Sequence, residues 1–409
     1  MVTTVLSSLF ISLATGQGVA LASEPVVERR VGVLAMPIGS FDTDDGLGFG
    51  GRAEIILREP GHEPYKAAWM AQGFATFRGY QNHELRYDRL DLGPEGRNRL
   101  MVYGAWRQWL NDGYWGVGNG TVREATYAQE FEADDPHRKR YRYTLKQPFV
   151  HATLQHELGE SSPWSVYGAV NPKYSAIETY DGSLLEEQQP YGMAGGLAIQ
   201  LMAGVIHDTR EPEIAPRQGH LIELGGRLSP ALQGQAGGFA GVMASARGYR
   251  PLGTRVVAAG RIMGEYLAGD VPFYEMVHWS GLRPIQGIGG SKTVRGMSFG
   301  RFRAPGKAVA NAELRVHTAS WTLLGRPFDV ELASFADAAT VFGASDDATA
   351  PAPTLPVHPA AGVGVHVIFD HSFVGCLDVG WALDPVLTAD GTLEQEPTLG
   401  LYMAFDHAF

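Results

Sequence analysis

From residue 47 to the C-terminal Phe409, hydrophobic and polar residues alternate with a period of two in runs cut short by Gly, Pro, Asn and Asp. That period sends successive side chains to opposite faces of a strand, and no stretch carries a helical repeat. The runs fall at residues 47–57, 66–78, 84–92, 99–109, 140–156, 164–174, 191–207, 220–228, 239–249, 254–267, 273–279, 309–319, 328–340, 361–369, 373–383 and 398–409, sixteen in all. After the N-terminal residues no window approaches the roughly 18 consecutive apolar residues that a membrane-spanning helix needs. The chain is therefore all-β, either a soluble two-sheet sandwich or a single barrel closed in lipid. A hydrophobic fraction of 44% with 52 Gly and 16 Tyr suits both.

The two ends of the chain favour the barrel. Residues 5–22 are apolar with small polar interruptions and finish in Ala20-Leu21-Ala22 ahead of Ser23, which predicts a signal peptide over residues 1–22. Sixteen strands over the remainder leave roughly 24 residues per strand and connection, room for barrel strands of about 10 residues with alternating turns and loops. At the other end Leu399, Leu401, Met403 and Phe405 line one face of a final strand that runs to an unprotected terminus. A soluble edge strand of that kind invites aggregation, whereas in lipid a closed wall pairs every backbone group. Gly400, Met403, Phe405 and Phe409 resemble the C-terminal assembly signal of outer-membrane barrels, with His407 departing from the usual apolar residue.

A net charge of −11 argues against nucleic acid as a partner. The single Cys376 has no partner for an intramolecular disulfide and reads as a small buried or wall residue. No metal site is expected, because no pair among the thirteen His has ligand spacing. No cofactor is expected either: Gly306-Lys307-Ala308 lacks the Ser/Thr of a phosphate loop. Gly296-Met297-Ser298-Phe299-Gly300 fits the hydrolase elbow only in spelling, since no helix follows.

One constellation carries a physical requirement. Gly289, Gly290, Gly296 and Gly300 surround Val294-Arg295-Gly296 in a Gly-rich loop, and the alternating runs beyond it hold Glu313 in Asn-Ala-Glu-Leu-Arg and Asp337 in Phe-Ala-Asp-Ala-Ala. A guanidinium drawn into a partly dehydrated lumen has to meet carboxylates that match its fork. These residues resemble the signature of the BamA/TamA family of outer-membrane barrels (the bacterial surface antigen family), with Met297 in place of an aromatic residue. The resemblance implies a 16-stranded antiparallel transmembrane barrel in the bacterial outer membrane, with an extracellular loop folded inward so that Arg295 pairs with Glu313 and Asp337.

Further matches follow in the order found in that family. Asp208-Thr209-Arg210, then Pro212 and Gly219, resemble its periplasmic turn; residues 114–121, beginning Tyr114-Trp115, resemble a segment between early strands and suit an interfacial aromatic girdle. Residues 44–51 resemble the start of its first strand, so the barrel is expected over 47–409, preceded by a short periplasmic segment over 23–46. That segment is too short for the periplasmic POTRA modules of most members.

The resemblance implies insertion, assembly or translocation of outer-membrane proteins, with outer-membrane lipids and client proteins as partners and a monomeric barrel. The alternative is a passive pore or structural barrel on the same scaffold. An outer-membrane enzyme is disfavoured, since no acid–base set stands out.

Overall fold

The computed structural model describes residues 30–62, 65–93, 95–127, 139–231, 237–323, 326–343, 356–369, 373–405 and 407–409, so the expected signal peptide lies outside the described residues. The strands are β1 (Arg30–Asp42), β2 (Gly46–Arg58), β3 (Ala67–Thr76), β4 (Gln81–Leu92), β5 (Asn98–Gly113), β6 (Arg123–Glu124), β7 (Arg142–Glu157), β8 (Trp164–Thr179) and β9 (Gly196–Asp208), followed by β10 (Gly219–Ser229), β11 (Phe239–Pro251), β12 (Val256–Gly269), β13 (Gly306–Leu323), β14 (Arg326–Phe342), β15 (His358–Phe369), β16 (Phe373–Leu387) and β17 (Leu393–Phe405). Sixteen of them pair antiparallel with their chain neighbours, and β1 meets β17 to close the barrel. The exception is β6, two residues that pair parallel with Val386 and Leu387 of β16.

The wall is inside out relative to a soluble protein. Leu224, Val242, Ile262, Val363 and Leu399 lie exposed on the outer face, while their alternates Glu223, Arg227, Arg261, Glu265, Asn311, Glu313 and Asp337 are buried within. This is what strand alternation produces when one face meets hydrocarbon and the other a polar interior. No described helix is long and apolar enough to cross a membrane; the strands make the crossing. Short turns such as 252–255 cluster at the rim that holds both ends of the described chain, and long connections such as 114–141 and 270–305 start from the opposite rim.

Two sequence expectations need correction. The wall begins at Arg30 rather than near Leu47: β1 pairs with β2 along its whole length, from Arg30↔Arg58 to Asp42↔Gly46, so most of the segment assigned to the periplasm is wall. Pro37 and the glycines at 32 and 39 blur the alternation there, although Val31 and Val33 are exposed outward and Met36 and Ile38 buried inward. Conversely, residues 273–279 are not a strand. Phe273, Tyr274, Val277 and Trp279 are apolar because they belong to a loop packed inside the lumen, where burial imitates the composition of a strand. The count of sixteen survives because one run was gained and one lost.

Candidate functional site

The loop between β12 and β13, residues 270–305, fills the lumen. Its Trp279, Ile288, Val294, Met297 and Phe302 form one apolar cluster with small or unbranched wall residues including Met243, Met263, Ala339, Ala360 and Ala382. Thr293 closes a tight turn, accepting from the Gly289 N–H at 3.0 Å and donating to the Gly289 carbonyl at 2.9 Å. A Cβ on Gly289 would sit 1.9 Å from the Ser298 carbonyl oxygen. Gly290 donates its N–H to the Met297 carbonyl at 2.9 Å, and both it and Gly300 adopt positive φ, +82° and +67°.

This turn aims Arg295 at the β13–β16 wall, where it is fully buried. Its Nε and Nη2 donate to the two oxygens of Asp337 at 2.9 and 3.1 Å, and its main-chain N–H also donates to Asp337 at 3.1 Å. Nη1 donates to Glu313 at 3.1 Å and to Asp378 at 3.0 Å. The guanidinium stacks on Phe335, 3.3 Å from the ring centroid. Asn311 donates to Asp337 at 2.7 Å and Arg315 to Glu313 at 2.7 Å, so the acids are oriented by partners of their own. A planar fork in this position is the arrangement for which Arg is suited and Lys is not.

The predicted Arg295, Glu313 and Asp337 are thus brought together, with Val294 buried beside them. Four further contributions were not foreseen. Asp378 is the third acid, and its inward position follows from the β16 alternation of Val374, Cys376, Asp378 and Gly380. Gly296, at φ +108°, lies against Gly380, where a Cβ would come within 2.4 Å of the Arg295 carbonyl oxygen. Finally β17 grips the loop: the Tyr402 hydroxyl accepts from the Gly296 N–H at 3.0 Å and donates to the Met297 carbonyl at 3.2 Å, and Thr398 donates to the Gly296 carbonyl at 2.7 Å. The β1–β2 turn adds a contact, as Asp44 accepts the Phe299 N–H at 2.9 Å. Burial, reinforced by the charge of Asp42, pushes the Asp44 carboxyl up to about 7.

The β17 strand that holds the loop is also one side of the barrel's weakest junction. It pairs with β16 at thirteen positions, from Gly375↔Phe405 to Leu387↔Leu393. Toward β1 it makes one ladder position, Asp42↔Tyr402, supplemented by a bond from Ser40 Oγ to the Met403 carbonyl at 2.7 Å.

At the C-terminus, Leu399 and Met403 face outward and Gly400 inward, while the side chain of Phe405 lies outside the described set. Phe409 departs from its expected place on the wall. It is buried in the lumen against Tyr249 and Ala259, with the guanidinium carbons of Arg261 and Arg315 at 5.2 and 5.8 Å from its ring. Lys292 and Arg261 donate to the carbonyls of His407 and Ala408 at 3.0 and 3.3 Å. These cationic partners draw the tail inward where an apolar terminal residue alone would have stayed with lipid.

The turn after β9 closes on itself. Arg210 donates through its main-chain N–H and side chain to Asp208, at distances from 2.7 to 3.0 Å, and Thr209 Oγ1 accepts the His220 N–H at 3.0 Å. Gly219 has φ +91°, and a Cβ there would sit 2.0 Å from the Thr209 carbonyl oxygen; Pro212 is exposed. Tyr114 and Trp115, expected in a lipid-interface girdle, are instead buried inside, where Arg303 lies 5.6 Å from the Tyr114 ring centroid and Arg301 the same distance from that of Trp115. Arg301 also bonds Asp384 at 2.6 Å and the Thr121 carbonyl at 3.0 Å, so residues 114–121 are folded into the lumen as well.

The Omp85 superfamily domain matches residues 117–397, which span β6 to β17. Among solved structures, BamA from Haemophilus ducreyi lacking POTRA domains 1–3 is similar at 16% identity with a TM-score of 0.57, covering 93% of this chain and 70% of that one. CdiB from Escherichia coli is similar at 14% identity with a TM-score of 0.54, covering 94% of this chain and 63% of that one. No curated protein matches the sequence. With the family match over more than half of its length and a closed 16-stranded wall, the chain belongs to the Omp85 superfamily and is a BamA-like barrel of the outer membrane.

Proposed function

We propose that this barrel inserts, assembles or translocates client polypeptides at the outer membrane, and that it does so by parting β1 from β17. The observation that carries this reading is the mismatch at that junction, a single ladder position at Asp42↔Tyr402 beside neighbouring pairs of thirteen. An unpaired strand edge is a template for another strand. At this seam the edge lies next to lipid, so an incoming client strand has backbone partners waiting. Arg295 with Glu313, Asp337 and Asp378 acts as the lock that keeps the loop seated, and Tyr402 and Thr398 tie that lock to the moving strand. The turn from Asp208 to Gly219 is a rigid periplasmic connection, and the apolar outer face meets outer-membrane lipids around a monomeric barrel.

A cross-strand disulfide tests the proposal. If the Asp42↔Tyr402 register continues, residues 40 and 404 stand opposite one another, within the roughly 4.5–5.5 Å Cβ separation of facing residues. Oxidised Ser40→Cys/Ala404→Cys protein, carrying Cys376→Ser because Cys376 faces residue 404 across the β16–β17 ladder, is expected in liposomes to lose assembly of a client barrel and regain it on reduction. Full activity with the bond quantitatively formed would overturn lateral opening. The passive-pore alternative is opposed by the packing of residues 270–305 inside the lumen, and steady, high single-channel conductance would restore it.

A further inference from the structure

One acid away from Arg295, across Asp378 and toward the periplasmic rim, three side chains from separate parts of the sequence converge. His366 on β15 stands directly across the ladder from Cys376 on β16, and His407 reaches them from the tail beyond β17. One donor atom from each lies within 4.8 Å of the other two, and all three residues are buried. Cross-strand pairing and a returning tail make this cluster invisible to any search for ligand spacing along the chain.

Among the described residues neither ring nitrogen of His407 has a hydrogen-bond partner, and neither does Nδ1 of His366. Stranding such groups in a buried site is costly, and few native polar atoms are left that way. Glu313 does not satisfy His366, since its nearer oxygen is 3.8 Å from Nδ1 and is held by Arg315 at 2.7 Å. The other nitrogen, Nε2, is 2.9 Å from Asp378. A carboxylate on one nitrogen fixes the tautomer and turns the opposite lone pair toward a ligand, the usual support of a metal-bound histidine.

We propose that His366, Cys376 and His407 bind one Zn²⁺ ion. A thiolate with two imidazoles is a donor set for this borderline-soft cation, and a fourth position is left for water. Zinc bonds of about 2.3 Å to sulfur and about 2.0–2.1 Å to nitrogen require the donors to draw in by roughly 1 Å, a movement available to the tail that carries His407. On binding, the Cys376 thiol proton is released to solvent and Sγ donates an electron pair. His366 Nδ1 and one nitrogen of His407 each donate a lone pair, and the Nε2 proton stays on the Asp378 side. Asp378 and Glu313, with the thiolate, face the positive charges of Arg295, Arg315 and Lys292 nearby. The ion would pin the tail to the β15–β16 wall. Through the bonds from Lys292 and Arg261 to the tail carbonyls it would also steady the Arg295 loop, so metal binding and loop seating favour each other. This site does not depend on the assembly reading.

The test uses the full chain folded in detergent, with folding checked by heat-modifiable gel mobility. Co²⁺ is expected to bind at one equivalent with a thiolate-to-metal charge-transfer band, and Zn²⁺ to displace it. Cys376→Ser should abolish the band, and His407→Gln should weaken zinc binding by at least about tenfold, the scale on which loss of even a supporting partner acts. Should Cys376→Ser fail to fold, zinc-edge X-ray absorption of the unaltered protein reads the same feature, one sulfur at about 2.3 Å. Absence of bound metal, a shell of only nitrogen and oxygen, or unchanged affinity in His407→Gln would overturn the site and leave His366 bonded to Asp378.

Discussion

The wall facing Arg295 and the junction between β1 and β17 belong to the same sheet but are stabilised in different ways. Strands β13 and β14 pair from Gly306↔Phe342 to Leu323↔Arg326, and their inner faces supply Asn311, Glu313, Arg315 and Asp337 to a network in which each acid has a cationic partner. At the junction the backbone ladder is reduced to one position, and β17, paired along its other edge with β16, is held on this side by Ser40 and by the loop in the lumen. Stability is therefore concentrated where the loop binds, while the edge that could open is held indirectly. A barrel with a uniform ladder would have no preferred place to part.

Removing the centre of the network gives the largest expected effect. Arg295→Ala leaves Asp337, Glu313 and Asp378 facing one another, and losing one partner of a buried pair costs about 3–5 kcal/mol. The temperature of the folded-to-unfolded gel shift should fall sharply, with Arg295→Lys recovering only part because it lacks the fork. An unchanged transition would break the comparison at its stronger end. Gly380→Ala comes next, since its new methyl meets the Arg295 carbonyl and overpacking costs typically about 1–3 kcal/mol. Protease sensitivity of the 270–305 loop should rise in that variant while the strands stay protected.

Tyr402→Phe probes the weaker region. It removes a hydroxyl that bonds both Gly296 and Met297, at about 0.5–1.5 kcal/mol for each bond. Hydrogen exchange at β1 and β17 should quicken while β13 and β14 are unaffected; equal acceleration everywhere would mean that the seam is not a separate unit. The same junction carries a pH dependence. Asp44 ionises near 7 in the folded protein against 3.8 ordinarily, so the folded state holds the proton longer and loses stability as pH rises from about 4 to about 7. Asp44→Asn should flatten that slope in the exchange rates of β1.

Sequence reading reached the architecture because alternation and turn residues are local signals, repeated in every strand. It reached Arg295, Glu313 and Asp337 because their surroundings form recognisable motifs. Asp378, Gly380, Thr398 and Tyr402 carry no such local mark: each is an ordinary strand residue whose role depends on what the loop brings to it. Strand parity alone could have placed them inward, yet parity does not say which inward residue the loop will touch. Residues 273–279 failed for the converse reason, since a segment buried among lumen residues has the apolar content of a wall strand without its neighbours. The start at Arg30 was missed because Pro37, which has no N–H to donate, reads against a strand, although an edge tolerates it.

The buried tail has a consequence for the order of events during biogenesis. Residues 407–409 find their partners in Arg261, Arg315 and Lys292, and Lys292 is itself part of the inward loop. Residues 407–409 can therefore reach their final positions only once the interior has been filled. Removing residues 407–409 would retain every described wall strand and lose the stopper beneath them.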